Sequence, residues 1–281
     1  MNNRKTMVIP IIILNYNSSS DCRKCISSLK RQEDIDMEVV LVDNRSKEED
    51  LIALRTLATE QGCTLIENKE NRGYNAGNNI GLRYASEKGY KYALIANPDM
   101  EFPQTDYLLK MAAKMEENEE IVVCGSDIIT PEGNHQNPMR ESTYFEELFW
   151  PITTLRNRKK KAWFLMDYTK SECCEKVSGC CFIIRLSFAQ DIGFFDEKVF
   201  LYSEEPILAK QVINRGYKMY YLANAQAVHC HIKSEKGDPK KRIYLFEKSR
   251  KYYLKYYSGY PQFALTCLYL SYKIHHLFYT K

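Results

Sequence analysis

Three short stretches carry residue types that can do chemistry. In Ala93-Leu94-Ile95-Ala96-Asn97-Pro98-Asp99 an apolar run stops in a polar turn with one carboxylate. A buried parallel strand reads as a continuous apolar run, and Asn-Pro signals a turn, so Asp99 falls just past a strand's carboxyl end. Ligands of open α/β sheets bind there. A hard carboxylate oxygen at that place can hold Mg²⁺ or Mn²⁺ against a diphosphate, or Asp99 can simply open a turn. In Ser203-Glu204-Glu205-Pro206 the proline suits the first position of a helix, which makes Glu205 its N-cap. Acids at a helix start complement its dipole. His229-Cys230-His231 puts two imidazoles on one face of a strand, as metal ligands or as packing residues.

The elements that must position these residues can be read in order. Apolar runs at 7–14, 38–42, 64–67 and 90–96 read as strands. Helices at 21–31, at 47–61 and up to Lys88 alternate with them, which predicts βαβ units and a mainly parallel sheet. A helix follows at 106–118 and a strand at 121–124; between 129 and 176 the pattern breaks down. Strands return at 177–185, 217–222 and 226–229, with a helix from Pro206 to Arg215 and two more at 240–257 and 261–279.

The run Glu70-Asn71-Arg72-Gly73-Tyr74-Asn75-Ala76-Gly77-Asn78-Asn79-Ile80-Gly81 places three glycines four apart across a helix start. Such spacing lets backbone approach a ligand or a neighbouring strand closely. It is neither GxGxxG nor GxxxxGK[ST], which argues against a nicotinamide oxidoreductase and a P-loop enzyme.

Composition sets the outer limits. At 281 residues and 44% apolar the chain is globular in type, and a net charge of +4 gives no case for nucleic acid. Ten cysteines and no secretory signal fit a reducing cytosol. No stretch reaches the roughly 18 apolar residues of a membrane span. Cys22 and Cys25 lack a second pair for zinc, so one packed and one partly exposed thiol is expected; the pairs at 173–174 and 180–181 read as packing residues. The basic run at 156–161 is a solvated face or a contact with phosphate groups or an anionic membrane. Tyrosine and lysine flank the apolar residues of the last helix, including His275 and His276. This suits a membrane interface, or packing on the domain or on a second subunit.

Taken in order, these fragments resemble the inverting family 2 glycosyltransferases of GT-A fold, in their rhamnosyltransferase-like branch. The resemblance covers roughly residues 7–257. It rests on Ile13-Leu14-Asn15-Tyr16-Asn17, Val42-Asp43-Asn44, the 70–79 run, Asn97-Pro98-Asp99, Gly193-Phe194-Phe195-Asp196, Phe200-Leu201-Tyr202-Ser203-Glu204-Glu205 and Ala227-Val228-His229. It implies an α/β GT-A domain, Rossmann-like with a mainly parallel sheet, over 1–239. Its nucleotide half would span 1–128 and its acceptor-side half 129–239, with a helical extension at 240–281. It also implies roles. Asn15 and Asn17 would border the nucleotide, and Asp43 would recognise base or ribose. Arg72, Gly73, Asn75, Gly77 and Asn78 would close over the nucleoside and diphosphate. Asn97 stands at the first acidic position of the DxD element and Asp99 at the last. Asp99, with His229, would hold Mg²⁺ or Mn²⁺. Glu205 would be the catalytic base, kept ionised by its N-cap position.

The implied reaction moves a sugar from UDP or dTDP, dTDP-rhamnose among the candidates, to a hydroxyl of a glycan or lipid-linked glycan in surface polysaccharide synthesis. The enzyme would be cytoplasmic or peripheral at the inner membrane face, with the C-terminal helices touching lipid or forming a homodimer. Ile207 and Gln211 depart from the family's usual Asp and Arg. They motivate the alternative of a catalytically degenerate protein that binds nucleotide-sugar or a partner.

Overall fold

The computed structural model describes residues 7–149, 167–230 and 239–279. The basic run at 156–161 and His231 lie outside the described residues, as do the side chains of His275 and His276. The strands are β1 (Val8–Asn15), β2 (Asp36–Asp43), β3 (Thr64–Glu67), β4 (Tyr92–Ala96), β5 (Met100–Glu101), β6 (Ile121–Ile129), β7 (Glu172–Cys174), β8 (Cys181–Arg185) and β9 (Lys218–His229). The helices are α1 (Ser19–Leu29), α2 (Glu48–Gln61), α3 (Tyr74–Glu87), α4 (Tyr107–Glu117), α5 (Tyr144–Leu148), α6 (Leu186–Asp191), α7 (Glu204–Asn214), α8 (Pro239–Tyr256) and α9 (Gln262–Tyr279).

One mixed sheet runs in the order β3-β2-β1-β4-β8-β6-β9-β5, with β7 on β9. β1, β2, β3 and β4 pair in parallel; β8 is antiparallel to both β4 and β6, and β9 is parallel to β6. The carboxyl ends of β1, β2, β4 and β9 therefore share one edge of the sheet. Cys181 pairs with Ala96 there, which brings in the loop before β8, and Met100 pairs with His229.

Successive residues of β1 face opposite layers, as strand geometry requires. Ile9, Ile11 and Ile13 pack with Cys22, Cys25, Leu54 and Met111 on one face. Ile12 packs with Leu82, Phe188 and Val212 on the other. Both thiols of α1 are fully buried, which corrects the expectation of one partly exposed cysteine. Cys180 and Cys181 are buried as expected, whereas Cys173 is exposed.

Three boundaries differ from the pattern reading. β9 is one strand, because a bulge opposite Ser126 and Asp127 absorbs residues 223–225. β8 starts at Cys181, and 177–180 is a loop. The helix after Ser203 starts at Glu204, with Ser203 as N-cap at φ 65°. Glu205 is thus the second helical residue and not the cap. Proline fits anywhere in a first turn, where backbone N–H groups have no intrahelical acceptor.

A third apolar cluster joins the C-terminal helices to the rest. Val199 and Ile207 pack against Tyr253, Leu254, Leu265 and Leu268, with Tyr144 and Leu148 of α5 alongside. Ile207, a departure from the family pattern, is a core residue of this contact.

Candidate active site

The shared sheet edge gathers two groups of residues. The first ties the loop after β1 to the loop after β2. Asn15, fully buried, donates from Nδ2 to Asp43 Oδ1 at 3.0 Å and to Asp50 Oδ2 at 2.8 Å. Asp43 Oδ2 accepts from the Ser46 N–H at 3.0 Å, and Asn17 Oδ1 accepts from the Lys47 N–H at 2.8 Å. Partial burial opposes charge on Asp50, but hydrogen bonds from Asn15 and Ser19 outweigh it and lower its pKa.

The second group surrounds a cavity of about 890 Å³ lined by Asn97, Cys180, His229, Glu204 and Glu205 among others. The Asn97 N–H donates to the Cys180 carbonyl at 2.7 Å, and the Cys230 N–H to the Asp99 carbonyl at 2.8 Å. These bonds fix the turn that presents Asp99. His229 Nε2 lies 3.2 Å from Asp99 Oδ1. Its Nδ1 lies 2.8 Å from Gln136 Oε1, an acceptor, so Nδ1 carries a proton and Nε2 is the atom turned to the carboxylate. Burial opposes charge on His229, but the Asp99 carboxylate and the Cys180 thiol outweigh it and raise its pKa to about 10. A divalent cation between the two side chains would replace the Nε2 proton. Carboxylate oxygen and imidazole nitrogen fit that ion chemically. Among the described residues no cluster of three such ligands occurs, so further oxygens would have to come from a bound diphosphate.

Glu205 Oε1 accepts from the Gly179 N–H at 3.4 Å, and a Cβ at Gly179 would sit 3.3 Å from that same oxygen. The Tyr74 hydroxyl braces this peptide by donating to the Gly179 carbonyl at 2.5 Å. Glu204 Oε1 accepts from the Tyr202 N–H at 2.8 Å. Burial, then the charge of Glu205, pushes the Glu204 carboxyl up to about 8. Tyr202 and Ser203, just before the helix, both hold positive φ, at 71° and 65°. Strained backbone of this kind clusters at functional sites.

The 70–79 run connects the two groups. Gly73 has φ 100°, and a Cβ there would lie 2.2 Å from the Phe200 carbonyl oxygen, so only glycine fits. The Tyr74 N–H donates to that same oxygen at 2.8 Å. Asn75 Nδ2 donates to the Asp196 carbonyl at 2.8 Å, Asn78 Nδ2 to the Tyr74 carbonyl at 3.1 Å, and Gly77 makes room for Leu14. None of Gly73, Asn75, Gly77 and Asn78 lines the large cavity; their contacts are with protein. Arg72 is half exposed and reaches Glu197 at 3.2 Å.

Sequence reading missed the wall that α8 and α5 give the cavity. Arg242, Ile243, Phe246 and Arg250 line it, together with Glu141 and Glu147. Arg250 pairs with Glu147 and lies 2.5 Å from Glu141, which also binds Lys176 at 2.7 Å. Burial opposes the Glu141 charge, yet Arg250 and Lys176 hold its pKa below the usual carboxylate range. Asp196 Oδ2 accepts from Tyr252 and Tyr257 at 2.7 and 2.6 Å, which ties α8 to the loop that also anchors Asn75.

Comparison with known proteins bears on the family and the fold. A hexosyltransferase of low-salt glycan biosynthesis from Haloferax volcanii is 27% identical over 201 residues, which is 70% of this chain and 59% of that protein. The chain thus spans less than two thirds of that relative. The N-acetylglucosaminyl-diphospho-decaprenol L-rhamnosyltransferase of Mycobacterium tuberculosis is 23% identical over 87% of this chain and 83% of its own. Among solved structures, a Pyrobaculum calidifontis mannosyltransferase in complex with GDP-Man and Mn²⁺ superposes with a TM-score of 0.59. It is 18% identical, and the match covers 96% of this chain and 70% of that one. GalNAc-T7 with UDP, GalNAc and Mn²⁺ gives a TM-score of 0.63 at 13% identity, over 98% and 56% of the two chains. These likenesses show the GT-A fold. Residues 11–191, more than half of the chain, match the family model for glycosyl transferase family 2, and the protein belongs to that family.

Proposed function

We propose that the protein is an inverting, metal-dependent glycosyltransferase. It transfers a sugar from a UDP- or dTDP-linked donor, dTDP-rhamnose among them, to a hydroxyl of a glycan or lipid-linked glycan in surface polysaccharide synthesis. One observation carries the reading: His229, 3.2 Å from the Asp99 carboxylate, and Glu205 line one cavity on the strand-end edge of the sheet.

Inversion is a single displacement at the anomeric carbon, and the attacking hydroxyl must lose its proton as it attacks. Glu205 accepts that proton. The Gly179 N–H and the Tyr74 hydroxyl behind it hold the carboxylate in place. Glu204 keeps its proton at neutral pH, so the acidic pair presents one negative charge to the acceptor rather than two. Asp99 and His229 would hold Mg²⁺ or Mn²⁺, which supplies Lewis-acid stabilisation of the leaving diphosphate. Asn15, Asn17, Asp43 and Arg72 border the nucleotide, with Asn97 at the diphosphate end. Gly73, Asn75, Gly77 and Asn78 shape the segment that closes over it and join it to the Glu205 loop.

The Ile207 departure that motivates a degenerate protein has a packing explanation, which favours the enzyme. A GT-A unit at 1–239 carries the donor chemistry, and the helices at 240–281 complete the acceptor side. No described helix is long and apolar enough to cross a membrane. On α9, Phe263, Leu270 and Ile274 are exposed on one face, and α8 exposes Lys240, Lys241, Lys248 and Lys251 beside Tyr244. Apolar side chains flanked by lysines suit peripheral contact with an anionic inner membrane face, and homodimerisation is the alternative use of that surface.

A thermal-shift panel tests the site. UDP, dTDP, GDP and CDP are each added with Mn²⁺, Mg²⁺ or EDTA. A native-state ligand at 100 times its dissociation constant adds about 2.7 kcal/mol. Stabilisation by a pyrimidine diphosphate, abolished by EDTA and by Asp99→Ala, is the expected result. No stabilisation by any nucleotide would favour the degenerate alternative.

A further inference from the structure

On the α8 wall of the cavity the charges are paired, with one exception. Glu141 takes Lys176 and Arg250, and Glu147 takes Arg250 and the Tyr272 hydroxyl. Glu146 takes Arg140 at 2.7 Å, and Glu247 lies 3.7 Å from Lys251. Arg242, in the first turns of α8, lines the same cavity and has no carboxylate partner among the described residues. Its Nη1 is buried without a hydrogen-bond partner. An unpaired buried donor costs about 1–3 kcal/mol, and native chains seldom keep one without a ligand or water to receive it.

We infer that Arg242 anchors a phosphate group of the acceptor, so that the substrate is a sugar carried on a lipid phosphate or diphosphate. The inference rests on the glycosyl-transfer reading above and adds the acceptor's chemical class. A guanidinium presents a planar fork of N–H donors that matches two phosphate oxygens. Beside it, Ile243 and Phe246 turn exposed apolar surface to the cavity, 37% and 49% accessible. That pairing of one free cation with apolar neighbours suits a phosphate joined to a hydrocarbon chain better than it suits a uronate. The volume of about 890 Å³ is near the upper end for small-molecule sites, so a reacting sugar and the phosphate behind it both fit.

The test is read without nucleotide and in EDTA, so it is independent of the donor site. Geranyl diphosphate, geranyl β-glucoside and glucuronate are titrated calorimetrically into the full chain, into Arg242→Gln and Arg242→Lys, and into Asp99→Asn. Geranyl diphosphate should bind the wild type and Asp99→Asn alike, at least about tenfold more weakly to Arg242→Gln, and with intermediate affinity to Arg242→Lys. The neutral glucoside should not distinguish wild type from Arg242→Gln. Equal binding by Arg242→Gln, loss in Asp99→Asn instead, or no binding by the wild type overturns the assignment. Binding of glucuronate that depends on Arg242, without binding of geranyl diphosphate, also overturns it by assigning a carboxylate. If Arg242→Gln melts more than about 2 °C below wild type, the lysine variant decides: retained affinity, intermediate or equal to wild type, supports a cation anchor, and complete loss overturns it. A failure of the glycosyl-transfer reading itself would appear in the nucleotide panel with Mn²⁺, not here.

Discussion

The proposed donor side and the proposed acceptor side of the sheet edge are held together by different physics. Around Asn15 and Asp43 the contacts are short-range hydrogen bonds between asparagine, serine and aspartate on neighbouring loops. Around Glu141 and Glu147 they are buried ion pairs between elements remote in sequence. A hydrogen bond to a carboxylate is worth about 1.5–3 kcal/mol, whereas removing one partner of a buried ion pair leaves an uncompensated charge and costs about 3–5 kcal/mol. The donor side should therefore tolerate single changes in stability, and the acceptor side should not.

The largest effect tests whether chemistry belongs to the acceptor-side loop. Glu205→Gln should lower kcat by about 10²–10⁴-fold, while nucleotide-induced thermal stabilisation stays at the wild-type level. Turnover near wild type would remove Glu205 from the mechanism. Next comes the ion network. Arg250→Met leaves Glu147 buried without its cation and Glu141 with Lys176 alone, and should cost about 3–5 kcal/mol in urea unfolding, against less than about 1.5 kcal/mol for Asn17→Ala on the other side. Equal losses would erase the contrast. Gly73→Ala probes the junction between the two sides. Its new Cβ meets the Phe200 carbonyl at 2.2 Å in a left-handed backbone, so about 2–4 kcal/mol and a fall in kcat/KM should be lost together. A stability loss with unchanged kcat/KM would show that the junction does not position Glu205.

The smallest effect is one of pH. The Glu204 carboxyl titrates near 8 when folded and near the ordinary glutamate value when unfolded. The folded state thus binds more protons between the two, and wild-type stability falls as pH rises from about 4.5 to 8. Glu204→Gln should lose that slope, and its Tm should rise relative to wild type as pH goes from 5 to 8. Parallel Tm curves for the two proteins would mean that Glu204 is not held neutral.

The donor side was far more legible in the sequence than the acceptor side. An apolar run cut short by Asn97-Pro98-Asp99 marks a strand end without help from any other part of the chain. The glycines of the 70–81 run announced a close approach, but not its partner, since Phe200 lies far along the chain. Glu205 lies two positions from the N-cap it reads as, because proline fits any residue of a first helical turn. The acceptor wall left no local signal: Glu147 meets Arg250 across 103 residues and Tyr272 across 125. In sequence those residues look like ordinary surface charges and tyrosines. Ile207, which read as a defect, made sense only once Leu254 and Leu268 were seen against it.

The stretch shared with the family model ends at residue 191, whereas the α8 wall begins at Pro239. Among the described residues the aromatic and ionic contacts that dock α8 and α9 are made to α5, to Glu141, to Tyr202, to the Asp196 loop and to one face of α7, not to the loops after β1 and β2. On the function proposed above, donor handling and acceptor choice would thereby be separable inheritances. A lineage, or a designer, would then be able to exchange the C-terminal hairpin together with α5 and re-address the proposed enzyme to a new acceptor while the loops after β1 and β2 stay as they are.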